Sequence, residues 1–251
     1  MYTSWFAWAT WQRHMVVGSV SFIKDVFPDL LENARMWTKT HRGQYGGRAC
    51  YWQDEGYDAM EVSISSSGCR PTINSVMFGE AVALLGMAKL IGNSSVEDEL
   101  RSLQEETRRF MLEQMWNPRI QSFAVIPLPG PSSQTPFRQF TPHHPHCPGN
   151  GSASWPQNET VGARELLAFM PWYFSLPTAS GGQLIPPSEV AKFETMWPQL
   201  FDEQGFAARW GLRTAELRSP CYNFSYEHSD CWNGRPGHTR LQECSLGLPT
   251  C

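Results

Sequence analysis

One stretch limits the fold of this chain more than any other. From Ser75 the apolar residues Met77, Ala81, Leu84, Leu85, Ala88 and Ile91 recur every three or four positions, and Gly92 follows where a helix would stop. Ser95 and Asp98 then stand like a capping box, with Asp in place of the usual Glu or Gln. Val96, Leu100, Leu103, Thr107 and Phe110 form a second stripe that ends near Met115 and Trp116. Two helices joined by so short a polar link must fold back on each other. The pattern predicts an antiparallel αα-hairpin.

Other segments extend a helical theme. Trp5, Trp8, Ala9, Gln12 and Met15 predict a helix ending at Gly18, and Ser21 is a candidate cap for the next one. In that next helix Phe22, Val26, Leu30, Ala34 and Trp37 repeat about every fourth residue, with Pro28 predicting a kink or a late start. His41 to Gly47 reads as a loop, and Met60, Val62 and Ile64 alternate with polar residues as in an extended segment. Helical patterning returns over Ala163 to Phe174 and Ser188 to Phe201, disturbed by Pro171 and Pro198. Between them and the hairpin lies a Pro-rich insertion at 127–158 with eight prolines, and short extended pieces and turns follow Gly205. The expectation is a mainly α protein of about six helices in pairs.

Composition narrows the function classes. Of the 251 residues, 41% are hydrophobic and 18% charged, a globular balance. The formal charge of −4, with no basic run longer than Arg108-Arg109, lacks the footprint of a nucleic-acid binder. No stretch approaches the ~18 apolar residues of a membrane span, so no membrane partner is expected. Eleven Trp, 14 Phe and seven Tyr supply flat faces able to stack on sugars or to fill a core. Seven Cys cannot all pair internally, and which of them pair stays open. Asn-x-Ser/Thr sequons at Asn93, Asn150, Asn158 and Asn223 point towards a secretory setting, whereas the N-terminal residues read as an amphipathic helix rather than a leader.

The chemistry concentrates in WQDEGYDAMEVSISSSGCRPTINS, residues 52–75. Asp54, Glu55, Asp58 and Glu61 lie there among Trp52, Tyr57 and Met60. Apolar neighbours and nearby negative charge both raise a carboxyl pKa, because each penalises the ionised form. A carboxyl kept protonated near neutral pH can protonate a leaving group, as cleavage of a glycosidic bond requires. A solvated acidic loop is the competing reading. Arg70 could pair with such carboxylates or hydrogen-bond a substrate, and Asn74 could cap backbone or face a pocket. The run His143-His144-Pro145-His146-Cys147 does not converge on a tetrahedral ion, so neither a metal nor another cofactor is expected.

Five ordered pieces carry a resemblance to a known family: GYDAMEVSISSSGCRPTINSVMFGEAVALLGMAKLIGN, MWNPRIQSF, RELLAFMPWYFSLP, GFAARWGLRTAE and CWNG. Together they resemble the six-hairpin glycosidases, and within them the mannosylglycerate-hydrolase-like domain related to glycoside hydrolase family 63. The resemblance runs from about Trp5 to Gly234. It implies an (α/α)6 toroid, in which helical hairpins ring a pocket and the inter-helix loops carry the chemistry. Gly56-Tyr57-Asp58 matches the family's acid motif, which implies Asp58 as general acid; the next residues, Ala59-Met60-Glu61, depart from that motif and leave Glu61 as a rival. Trp52, Tyr57, Arg70, Asn74, Trp232 and Asn233 are the implied substrate-binding residues, Trp232-Asn233-Gly234 matching the family's aromatic loop. The implied partner is a carbohydrate with an α-linked glycosidic bond. No oligomeric state follows.

The likeness stops at Gly234, and residues 235–251 read as a non-family tail. Residues 1–234 are therefore expected to form a partial, incomplete ring, without the second carboxylate that activates water in an inverting reaction. Such a chain is expected to be inactive by itself, and to expose apolar stripes at an open edge. A non-catalytic sugar binder or helical interaction module is the alternative.

Overall fold

The computed structural model describes residues 4–45, 47–54, 63–65, 67–127, 160–175 and 182–219. Its elements run in chain order α1 (Phe6–Val17), α2 (Val20–His41), β1 (Arg42–Tyr45), β2 (Arg48–Gln53), β3 (Gly68–Cys69), α3 (Pro71–Ile91) and α4 (Glu97–Phe110). Next come the short strands β4 (Trp116–Asn117), β5 (Ser122–Phe123) and β6 (Ile126–Pro127), then α5 (Met170–Tyr173), α6 (Val190–Phe193), β7 (Ala207–Ala208) and β8 (Gly211–Leu212). The fold is mainly α, with six α-helices among the described residues.

The organising element is α3. Every residue from Pro71 to Ala88 is buried, so the helix is enclosed on all faces rather than along one stripe. Helices α1, α2 and α4 all pack against it. By length and hydropathy α3 could cross a bilayer, yet 89% of its apolar window is buried inside the protein, the signature of a core helix. Gly79 lets a neighbour come close: a methyl group there would collide with the ring of the buried Phe174. Phe174 in turn meets Trp8 edge-on, with centroids 5.0 Å apart.

The αα-hairpin forms as expected, Gly92 ending α3 in the left-handed conformation at φ 75°. Its link differs in detail. A single 3₁₀ turn over Ser94–Val96 leads into α4, and the Ser95 hydroxyl bonds the Asn93 side chain instead of capping the helix. The α4 N-terminus is served electrostatically by Glu97, Asp98 and Glu99 in its first turn, and its last turn carries Arg108 and Arg109.

Other local expectations need correcting. Ser19, not Ser21, caps α2 by accepting from the Phe22 N–H. Pro28 sits inside a continuous α2 and neither delays nor ends it, since the flanking helix buries Ile23, Phe27, Leu30 and Leu31. The expected loop at 41–47 belongs mostly to a hairpin of β1 and β2, paired from Arg42↔Tyr51 to Tyr45↔Arg48. Strands β1-β2-β3-β6 make one antiparallel sheet, and a disulfide joins Cys50 of β2 to Cys69 of β3 with Cα atoms 6.0 Å apart. Ala163–Phe174 and Ser188–Phe201, read as helices, form only single α-turns and 3₁₀ turns; Pro198 lies inside the second 3₁₀ segment, whereas Pro171 stands in the first turn of α5. The Pro-rich insertion lies outside the described residues apart from Pro127, and the tail at 235–251 lies outside them entirely. Met15, Val16, Val17 and Val20 form an exposed apolar patch at the α1–α2 turn.

One buried charge ties α1 to the core. No side chain at Trp5 caps α1; instead Glu80 of α3 accepts from the Ala7 N–H at 3.1 Å and the Trp8 N–H at 2.8 Å. Burial pushes the Glu80 carboxyl up to about 7, against the pull of those two bonds. A carboxyl raised in the folded state binds its proton there and not in the unfolded chain, so its contribution to stability falls as pH rises. The stability advantage of wild type over Glu80→Gln should therefore shrink by on the order of 3 kcal/mol across pH 4.5–7, read from urea melts at a series of pH values. A difference that stays constant across that range contradicts the assignment.

Candidate functional site

The acidic stretch leaves the sheet at the end of β2 and returns at Ser63. Tyr57, Asp58 and Glu61 lie outside the described residues, as do Trp232, Asn233 and the His143–His146 run; the two anchors of the stretch are described. On the outgoing side Trp52 is buried and pairs with Cys69, Gln53 pairs with Gly68, and the Ser67 hydroxyl donates to Asp54 at 3.3 Å. Gly68 is demanded here. Its φ is 154°, and a Cβ would collide with the Ile126 carbonyl of β6.

The return side is held by a carboxylate that sequence reading missed. Glu165, wholly buried, accepts from the Ser63 hydroxyl at 2.9 and 2.8 Å, from the Ile64 N–H at 2.8 Å and from the Ser65 N–H at 3.3 Å. Ser63, Ile64 and Ser65 are all buried in a turn, not in the solvent-alternating strand that the sequence suggests. Desolvation raises the Glu165 carboxyl, and the positive charge of Arg70 together with these hydrogen bonds pulls it back down. Arg70, at the N-cap of α3 and with no exposed surface, donates to the Ser63 hydroxyl at 3.2 Å. That hydroxyl thus accepts from the guanidinium and donates to the carboxylate.

Glu165 is itself pinned. It forms an isolated bridge with Ala215, the Leu166 N–H donates to Thr214, and Arg164 pairs with Glu216 at 2.7 Å. Ile64, Val125, Val161, Ala163, Leu167 and Ala215 make a small apolar cluster beside this network. The RELL and LRTAE segments therefore meet on the turn that closes the acidic stretch.

Asn74 is also committed. Its Oδ1 accepts from the Tyr51 N–H at 2.9 Å, and its Nδ2 donates to the Tyr51 and Arg70 carbonyls, both at 2.8 Å. The side chain acts as a short length of strand, fastening β2 to the first turn of α3; of its two expected roles, the structure shows backbone binding. Trp8 and Trp11 are buried in the core, and the half-buried Trp172 packs against it and donates to the Met196 sulfur. Among the described residues no group of three His, Cys, Asp or Glu side chains could hold a metal. A groove of about 420 Å³ runs between α2 and α4 over Leu31, Ala34, Leu100 and Leu103, crossed by the Arg35–Glu99 and Arg42–Glu106 ion pairs. It shares no residue with the anchors and is set aside as a candidate site.

Comparison with known proteins adds three findings. The model of the mannosylglycerate hydrolase MGH1-like glycoside hydrolase domain matches residues 1–236. No curated protein sequence matches the chain. Among solved structures, a chain titled "Sialidase" is similar at 30% identity with a TM-score of 0.67, over 87% of this chain and 17% of that one. This chain thus spans about a sixth of that structure's length.

Removing one partner from a buried, hydrogen-bonded charge network leaves the other uncompensated, at a cost of about 3–5 kcal/mol. Arg70→Met and Glu165→Gln should each lower the unfolding free energy by about that much in denaturant titration. Combined, they should lose measurably less than the sum, by about 0.5–3 kcal/mol. Strict additivity would show that the two side chains do not interact.

Proposed function

Because the chain belongs to the mannosylglycerate hydrolase MGH1-like glycoside hydrolase family, we propose that it carries the general-acid half of a site that cleaves α-linked O-glycosides. Asp58 is the proton donor in this reading, with Glu61 as its rival. Trp52 and Tyr57 supply apolar surroundings, and Trp232-Asn233 supplies an indole face and an amide for the sugar. Arg70 and Asn74 act behind them as positioning residues. The observation that supports the proposal is that the residues flanking 55–62 are held on both sides, by the β2–β3 pairing before them and by Glu165 after them. A general acid contributes only when held within hydrogen-bond reach of the leaving oxygen, so the fold spends buried charge on fixing its loop.

The chemistry follows from that placement. The Asp58 carboxyl gives its proton to the glycosidic oxygen as the anomeric C–O bond breaks, and water adds at the anomeric carbon. In an inverting enzyme a second carboxylate activates that water, about 6.5–9.5 Å from the acid. Glu80 and Glu165, the deeply buried carboxylates of the described core, are both engaged in backbone hydrogen bonds. Neither is free to take a proton from a substrate water. The proposal gives this chain sugar binding and proton donation, and it assigns the water-activating role to neither Glu80 nor Glu165.

Azide tests each part, because it attacks the anomeric carbon without needing a base. The chain should be incubated with a panel of α-linked aryl glycosides, sialosides among them, with and without azide. Wild type should release the phenol and form a glycosyl azide only when azide is present. Asp58→Asn should lose at least a hundredfold of that rate on poor leaving groups, and Glu61→Gln should keep it. Equal rates in wild type and Asp58→Asn overturn the acid assignment; efficient cleavage without azide overturns the missing base. Silence across the whole panel contradicts the hydrolase reading.

A further inference from the structure

The turn between α3 and α4 presents a feature that sugar hydrolysis does not use. Asn93-Ser94-Ser95 is an Asn-x-Ser sequon placed where the chain leaves the left-handed Gly92 and begins α4. Ser94 and Ser95 are exposed and Asn93 is partly exposed. The Ser95 hydroxyl donates to Asn93 Oδ1 at 2.7 Å, which draws electron density from the amide and leaves Nδ2 without a partner among the described residues. The link joins two packed helices at their turn, with its two serines open to solvent.

A second, independent observation concerns redox state. Cys50 and Cys69 are joined across β2 and β3 inside the core, with exposures of 1% and 0%. Such bonds form and persist in oxidising compartments. In eukaryotic cells the compartment that oxidises cysteines also attaches glycans to sequons in surface loops. Position adds a third point. Helix α3 has 21 residues and rises about 1.5 Å per residue, so Asn93 lies about 30 Å from Arg70 and Asn74. A glycan there leaves the anchored acidic stretch open to substrate.

We propose that Asn93 is an N-glycosylation site. In the transfer, Nδ2 of Asn93 loses a proton and bonds to the anomeric carbon of an oligosaccharide carried on a lipid diphosphate, and the lipid diphosphate departs with the electrons of the broken C–O bond. The inference stands apart from the proposed hydrolase activity, because neither the sequon nor the disulfide enters that reaction.

The test is to direct the whole chain through the secretory pathway of a eukaryotic cell with a leader peptide, then map its peptides before and after treatment with peptide N-glycosidase. The peptide holding Asn93 should be recovered with Asp at that position after treatment and should be heavier by one oligosaccharide before it. Asn93→Gln and Ser95→Ala should each lose one mobility step on a gel, whereas Ser95→Thr should keep it. The same maps report Cys50–Cys69. An unmodified Asn93 in secreted chain, or loss of the step only when Asn150, Asn158 or Asn223 is changed, overturns the proposal. Secreted chain with Cys50 and Cys69 unpaired and Asn93 unmodified overturns the compartment argument and the proposal together.

Discussion

A carboxylate with no access to water must be satisfied by the protein around it, and Glu165 imposes that condition on this fold. Three donors from Ser63, Ile64 and Ser65 and the nearby charge of Arg70 satisfy it. The network joins three stretches of chain: the turn after the acidic segment, the N-cap of α3, and the RELL segment some hundred residues later, which carries Glu165 itself. An apolar residue at 165 would need none of these meetings. The charge therefore specifies a register as well as a contact, and it fixes where the acidic stretch re-enters the core.

Helix α3 is the other half of the construction. Being buried on every face, it cannot be repositioned without moving α1, α2 and α4. Its first turn receives Asn74's bonds to β2, its middle supplies Glu80 to the start of α1, and its end begins the hairpin. The described residues on either side of the acidic stretch thus belong to a sheet crosslinked by Cys50–Cys69 and to the buried network at the start of α3. Such a frame suits a reaction that tolerates little error in placing a proton.

Much of the helical frame was legible in the sequence. The apolar spacing from Met77 to Phe110 and the stop at Gly92 are local signals, and the hairpin follows from them. The family resemblance, too, rests on residues that the family model matches. Pro28 misled because helix α2 draws its stability from the face it buries, which outweighs one lost hydrogen bond. The β1–β2 hairpin hid within a polar stretch, its alternation too short to read. Glu165 was missed for a different reason: its partners are a hundred residues away, and only its position at the head of the apolar run LLAFMPWYF hinted at burial. Arg70 was weighed as a pairing or substrate residue; in the structure it is buried and donates to the Ser63 hydroxyl beside Glu165.

Amide hydrogen exchange at Ile64 and Ser65 tests the anchoring most directly. If Glu165 holds the return of the acidic stretch, these two amides should exchange as slowly as those in the middle of α3, opening only with global unfolding. Exchange at rates typical of an unprotected loop would show that the buried carboxylate does not fix this turn, and the structural support for a positioned acid would go with it.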